Sequence, residues 1–73
     1  MITESKVARN VSDLMIEFSA KLNSSVVDVR EACPEDEFAN YRHAVARVMD
    51  EMLLGIMNPI YDTHPALKPA GLE

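Results

Sequence analysis

Residues 32–38 read Ala-Cys-Pro-Glu-Asp-Glu-Phe, and this stretch decides the fold. A residue before proline is pushed out of helical geometry, so one helix is expected to end near Ala32. Pro34 is favoured at the first position of the next helix, and the three carboxylates after it complement the positive end of that helix. A connection this short favours antiparallel neighbours. The stretch therefore predicts an antiparallel helical hairpin that turns at Pro34.

The chain before the turn has the pattern of one long helix over about residues 3–32. Thr3 can serve as its N-cap, because a threonine hydroxyl accepts hydrogen bonds from the free amides of the first turn. Apolar residues recur at steps of three or four, which places them on one helix face. This apolar stripe consists of Val7, Val11, Leu14, Phe18, Leu22, Val26 and Val29.

Asn23-Ser24-Ser25 is the weak point of this helix, since such side chains compete for backbone hydrogen bonds. The apolar stripe nevertheless keeps its phase across these residues. We therefore expect one helix, either straight or kinked at Asn23-Ser25. The alternative is a chain that turns back at this point and forms a three-helix monomer.

The second helix is predicted over about residues 34–57. Its apolar positions are Phe38, Tyr41, Val45, Val48, Met52 and Ile56. Asn58 tolerates the left-handed C-cap conformation and Pro59 cannot continue a regular helix, so the pair predicts the helix end. Residues 58–73 are then expected to form an irregular tail. The whole chain, residues 1–73, is predicted to be a single all-α domain.

The charge balance argues against several classes of partner. Twelve acidic and seven basic side chains give a net charge of −5. Nucleic-acid binding normally needs a basic stripe, and docking on an anionic membrane also needs positive charge. We therefore expect neither nucleic acid nor membrane as a partner. A single cysteine excludes an internal disulfide, and a free thiol fits a cytoplasmic location.

Residues that carry chemistry are few. Cys33 has four carboxylates within four residues of it, which oppose a reactive thiolate, so it is interpreted as a capping or packing residue. His43 has no second histidine one helical turn away to complete a metal pair. No glutamate is followed three residues later by histidine, as a di-iron helical bundle needs. The sequence therefore predicts a protein that is not an enzyme and has no metal or other cofactor.

Asn58-Pro59-Ile60-Tyr61 matches the short pattern Asn-Pro-x-Tyr, which adaptor domains bind in cytoplasmic tails. Four residues carry little specificity, and Asn-Pro is also an ordinary helix stop. We interpret Ile60 and Tyr61 as core residues rather than as a recognition motif.

The second helix becomes apolar over most of its circumference toward its end, which indicates burial on more than one side. Gly55 costs about 1 kcal/mol relative to alanine in a helix interior, and a close approach by another backbone would explain it. A homodimer in which two hairpins form a four-helix bundle satisfies both features. The candidate dimer or partner interface is Val45, Val48, Met49, Met52, Leu53, Gly55, Ile56 and Met57.

The function expected from these features is that of a small, non-enzymatic interaction or regulatory module, which acts as a homodimer and binds a protein partner. The alternative is a small sensor or carrier that holds an apolar ligand between its helices. The binding site for such a ligand would be lined by Met15, Phe18, Met49, Met52 and Leu53.

Overall fold

The computed structural model describes residues 1–69, and all regular secondary structure in that range is helical. Helix α1 spans Ser5–Ala32, and helix α2 begins at Glu35 after the turn at Cys33-Pro34. The two helices pack against each other as a hairpin, so the predicted all-α hairpin is confirmed. We call the end at Pro34 the turn end and the opposite end the open end.

Both helices begin later than the sequence predicts, α1 at Ser5 and α2 at Glu35. Glu4, rather than Thr3, is the N-cap of α1, and its carboxylate accepts from the amides of Lys6 at 3.2 Å and Val7 at 2.8 Å. Pro34 is the N-cap of α2 rather than its first helical residue, and its carbonyl accepts from the Phe38 amide at 3.0 Å. A carboxylate caps as well as a hydroxyl does and also complements the helix dipole.

Helix α1 runs without a break through Asn23-Ser24-Ser25. The Ser25 hydroxyl donates to the Leu22 carbonyl oxygen at 2.7 Å and lies 2.7 Å from the hydroxyl of Tyr41 on α2. Since the single Ser25 proton is used on Leu22, Tyr41 is the donor to Ser25. The Ser25 hydroxyl, which argued against a continuous helix, thus has its hydrogen-bond partners inside the hairpin. The three-helix alternative, with a turn at this point, is wrong.

The second helix does not end at Met57, so the prediction of an irregular tail from residue 58 is wrong for its first part. Helix α2 spans Glu35–Met52, continues through a π-helical turn at Leu53–Met57, and resumes as α3 over Asn58–Thr63. In the π turn the Asn58 amide donates to the Leu53 carbonyl, five residues back. The Pro59 ring would collide with the carbonyl of Gly55 in a regular α-helix. The wider π turn displaces that carbonyl and lets the helix pass the proline.

The open end of the hairpin is closed by the segment after α3. A short 3₁₀ turn, Pro65–Leu67, follows His64, whose Nε2 lies 2.7 Å from the Ile2 carbonyl oxygen. Leu67 and Ile2 pack against the main core, which consists of Ala8, Met15, Met57, Ile60 and Tyr61. The best-packed part of the molecule therefore lies at the open end. Residues 70–73 of the predicted tail lie outside the described residues.

Candidate interaction surface

The stripe predicted as the seam of α1 is only partly buried by α2. Val7, Leu14 and Phe18 are 47%, 45% and 49% exposed, whereas Ala8, Ser12 and Met15 are buried. The apolar side of α1 is wider than one neighbouring helix can cover. Helix α2 and its continuation pack over the side that carries Ala8 and Ser12, where the Ser12 hydroxyl has a hydrogen-bond partner in Tyr61. The rest of the stripe stays at the surface.

Val7, Leu14 and Phe18 of α1 lie on the same face of the hairpin as Val48, which is 50% exposed on α2. Ser25 lies two helical turns after Phe18, and Tyr41 lies two turns before Val48. Residues two turns apart share a side of a helix. Since Ser25 and Tyr41 are hydrogen-bonded across the hairpin, the two sides adjoin. We call the surface formed by Val7, Leu14, Phe18, Val48 and Gly55 the apolar face.

The part of the apolar face on the second helix includes an open groove of about 330 Å³. Its lining is mainly apolar and consists of Val48, Glu51, Met52, Gly55 and Ile56. A Cβ added at Gly55 would meet only the side chain of Glu51, at 3.4 Å. The close approach that Gly55 allows is therefore not used by the described residues of its own chain.

The structure divides the eight predicted interface residues into two groups. Val45 and Met57 are each 6% exposed because they are covered by the hairpin itself, so they are not part of its exposed surface. Val48 is exposed and the other five are half-buried; of these five, Met52, Gly55 and Ile56 line the groove. The α1 residues of the apolar face were expected to be buried; the only sign of their exposure in the sequence is the excess width of the stripe.

Neither the Asn-Pro-x-Tyr segment nor the scattered chemical residues form a site. Tyr61 is 5% exposed, and its hydroxyl lies 2.7 Å from the Ser12 hydroxyl in the core. Ile60 is fully buried as well, which confirms the interpretation of Ile60 and Tyr61 as core residues, whereas Pro59 lies within helix α3 and does not end the helix. Cys33 is a half-buried free thiol at the turn. In residues 1–69, no three His, Cys, Asp or Glu side chains come together in a way that could hold a metal ion.

Charge is distributed unevenly along the hairpin. At the turn end, residues 28–37 carry five acidic side chains and one arginine, a net charge of −4. At the open end, residues 1–9 and 58–69 carry three basic and two acidic side chains, a net charge of +1 with histidine neutral. Lys6, Arg9 and His64 line a second open groove there, of about 690 Å³. Within residues 1–69, the two ends of the hairpin therefore have opposite net charge.

Comparisons of the chain with protein-family models, with curated proteins and with solved structures found no significant match. Among the described residues, no helix combines the length and the apolar character that crossing a membrane requires. The functional argument consequently rests on the surface described above.

Proposed function

We propose that this chain is a non-enzymatic interaction module that acts as a homodimer, in which two hairpins join through their apolar faces to form a four-helix bundle. The observation that carries the proposal is the apolar face itself. Four large side chains, Val7, Leu14, Phe18 and Val48, are each about half exposed on one side of the hairpin. Completing the burial of such a side chain contributes about 1 kcal/mol.

The amount of exposed surface supports a dimer. The protein has an accessible surface of 5231 Å², whereas a compact monomer of 8.2 kDa exposes about 4500 Å². The excess of about 700 Å² is close to the ~800 Å² that each partner buries in a standard interface. The principal extents of 44 × 20 × 16 Å describe an elongated hairpin with a long flank for a second hairpin. Two such hairpins side by side form the cross-section of a four-helix bundle.

Gly55 supports the same arrangement. Glycine in a helix is retained at a cost of about 1 kcal/mol relative to alanine. The space where its Cβ would stand opens into the apolar groove. A second hairpin seated on the apolar face would bring a backbone into that space. The outward sides of α1 and α2 then remain for a protein partner, which makes the dimer a platform for regulation.

The proposal is tested by the mass of the protein in solution, measured by light scattering behind a sizing column over a range of concentrations. We expect about twice the 8.2 kDa chain mass. Phe18→Glu places a charge in the middle of the apolar face and should give a monomer with unchanged helical content. Ile16→Glu is the matched control, since Ile16 is 42% exposed but lies two positions away on a different side of α1.

A wild-type protein that stays at 8.2 kDa over the whole range contradicts the homodimer. The alternative function, a carrier of an apolar ligand, would then appear as a monomer that retains a bound hydrophobic molecule in native mass spectrometry. A dimer that both substitutions leave intact would mean that the copies associate through another surface.

A further inference from the structure

Given the homodimer proposed above, we infer that its two copies lie antiparallel, with the acidic turn end of each beside the basic open end of the other. The apolar face alone allows two orientations, because a parallel pair and an antiparallel pair both cover it. The distribution of charge along the hairpin distinguishes between them.

A parallel pair brings the two turn ends together. Each turn end has a net charge of −4, concentrated in residues 28–37. Like charges within about 8 Å of each other, the screening length at physiological salt, repel appreciably. None of the three basic residues of the open end would be near enough to compensate. The parallel orientation therefore places the strongest repulsion in the molecule at the interface.

An antiparallel pair brings opposite charges together. The apolar face centres on the level of Leu14, in the half of the hairpin nearer the open end. A two-fold axis at that level places the turn end of one copy just beyond the open end of its partner. The two turn ends are then about 55 Å apart and no longer repel each other, and each lies nearest to the open end of the partner, where residues 1–9 and 58–69 have a net charge of +1. Electrostatic complementarity of this kind selects orientation and register.

Cys33, the only cysteine, provides a direct test because it lies at the turn end. Leu14 precedes it by 19 residues, about 28 Å along a helix. In the antiparallel dimer, spin labels on the two copies of Cys33 are expected about 55 Å apart; in a parallel dimer they would be within about 25 Å. The distance is measured by pulsed dipolar electron spin resonance on the full chain, whose dimeric mass is first confirmed after labelling.

In a second labelling scheme, the antiparallel dimer rather than the parallel dimer brings the two labels close together. Chains with a donor dye on Cys33 are mixed with chains that carry Thr3→Cys and Cys33→Ser and have an acceptor dye at position 3. Thr3 is exposed and lies at the open end. The antiparallel dimer predicts strong energy transfer between the two chains, and the parallel dimer predicts weak transfer.

The outcomes separate the two proposals. A long distance between the Cys33 labels with strong transfer to Thr3 supports the antiparallel dimer. A short distance with weak transfer overturns the orientation while leaving the homodimer in place. A monomeric mass with no interaction between labels overturns both.

Discussion

The hydroxyl oxygens of Ser12 and Tyr61 lie 2.7 Å apart in the core and join α1 to α3 across the hairpin. Ser12 is 3% exposed and Tyr61 is 5% exposed, so water cannot replace this bond. The bond exists only because the helix continues past Pro59 and carries Tyr61 back onto α1. It therefore ties the unexpected part of the fold to the core.

Tyr61→Phe is expected to destabilise the protein by about 1–2 kcal/mol, because it leaves the buried Ser12 hydroxyl without its partner. Ser12→Ala should cost a similar amount. The double variant should cost less than the sum of the two, since removing both partners leaves no unsatisfied group. The free energies of unfolding of the wild type and the three variants are measured by urea unfolding. All four are measured at one protein concentration, because the stability of a dimer depends on concentration. Strictly additive losses would mean that the two hydroxyls do not interact.

The general architecture follows from sequence because its signals are local. The Cys33-Pro34 turn and the apolar repeats of three and four residues are sufficient for a helical hairpin. The face that α2 covers could not be derived in the same way. The apolar stripe of α1 is broader than the contact, and packing over Ala8 and Ser12 depends on the partner helix. Hydrophobic periodicity gives the side of a helix, not the part of that side that a neighbour will cover.

The course of the chain past Pro59 was missed for a related reason. A proline is a strong local signal for a helix end, but tertiary packing can outweigh it. The buried residues Met57, Ile60 and Tyr61 return to the core only if one extra residue is inserted after Met52, which is what a π turn does. The step of five from Met52 to Met57 is the sequence trace of this insertion.

The π turn gives a sharp prediction about Leu54, which is 65% exposed within it. Deleting Leu54 should convert the turn to regular α-helix and keep Ile60 and Tyr61 in phase with the core. The deletion alone is expected to cost about 3 kcal/mol, because Pro59 then stands in a regular helix interior. Combining it with Pro59→Ala should recover most of that loss. Unfolding by urea measures both variants, and an equal loss with and without Pro59 would show that the π turn does not serve to accommodate the proline.

Gly55→Ala should separate the stability of the hairpin from that of the dimer. Within one chain the new methyl group meets only the flexible Glu51 side chain, and alanine gains up to about 1 kcal/mol of helix propensity. In the proposed dimer the methyl group fills the space of the incoming backbone. We expect the dissociation constant of the dimer to rise about ten-fold, equivalent to about 1.4 kcal/mol, with helical content unchanged.

Light scattering on dilution gives the dissociation constant, and Ala46→Gly on the exposed outer side of α2 is the control. Unaltered dimerisation would exclude a close backbone approach at Gly55.

The bond from His64 to the Ile2 carbonyl predicts a local effect at the open end. The 2.7 Å separation and the half-buried position of His64 are those of a good hydrogen bond, in which the ring N–H donates to the carbonyl oxygen. His64→Phe keeps a flat ring but removes the donor, so the free energy of unfolding should fall by about 0.5–1.5 kcal/mol.

The loss should be concentrated in the first turn of α1, where the Ala8 amide donates to the Glu4 carbonyl at 3.0 Å. Hydrogen exchange of the Ala8 amide should accelerate, while amides near Tyr41 keep their protection. Lys68→Ala, at an exposed neighbouring position, is expected to change neither quantity. If protection falls equally along both helices, His64 stabilises the whole hairpin rather than its open end.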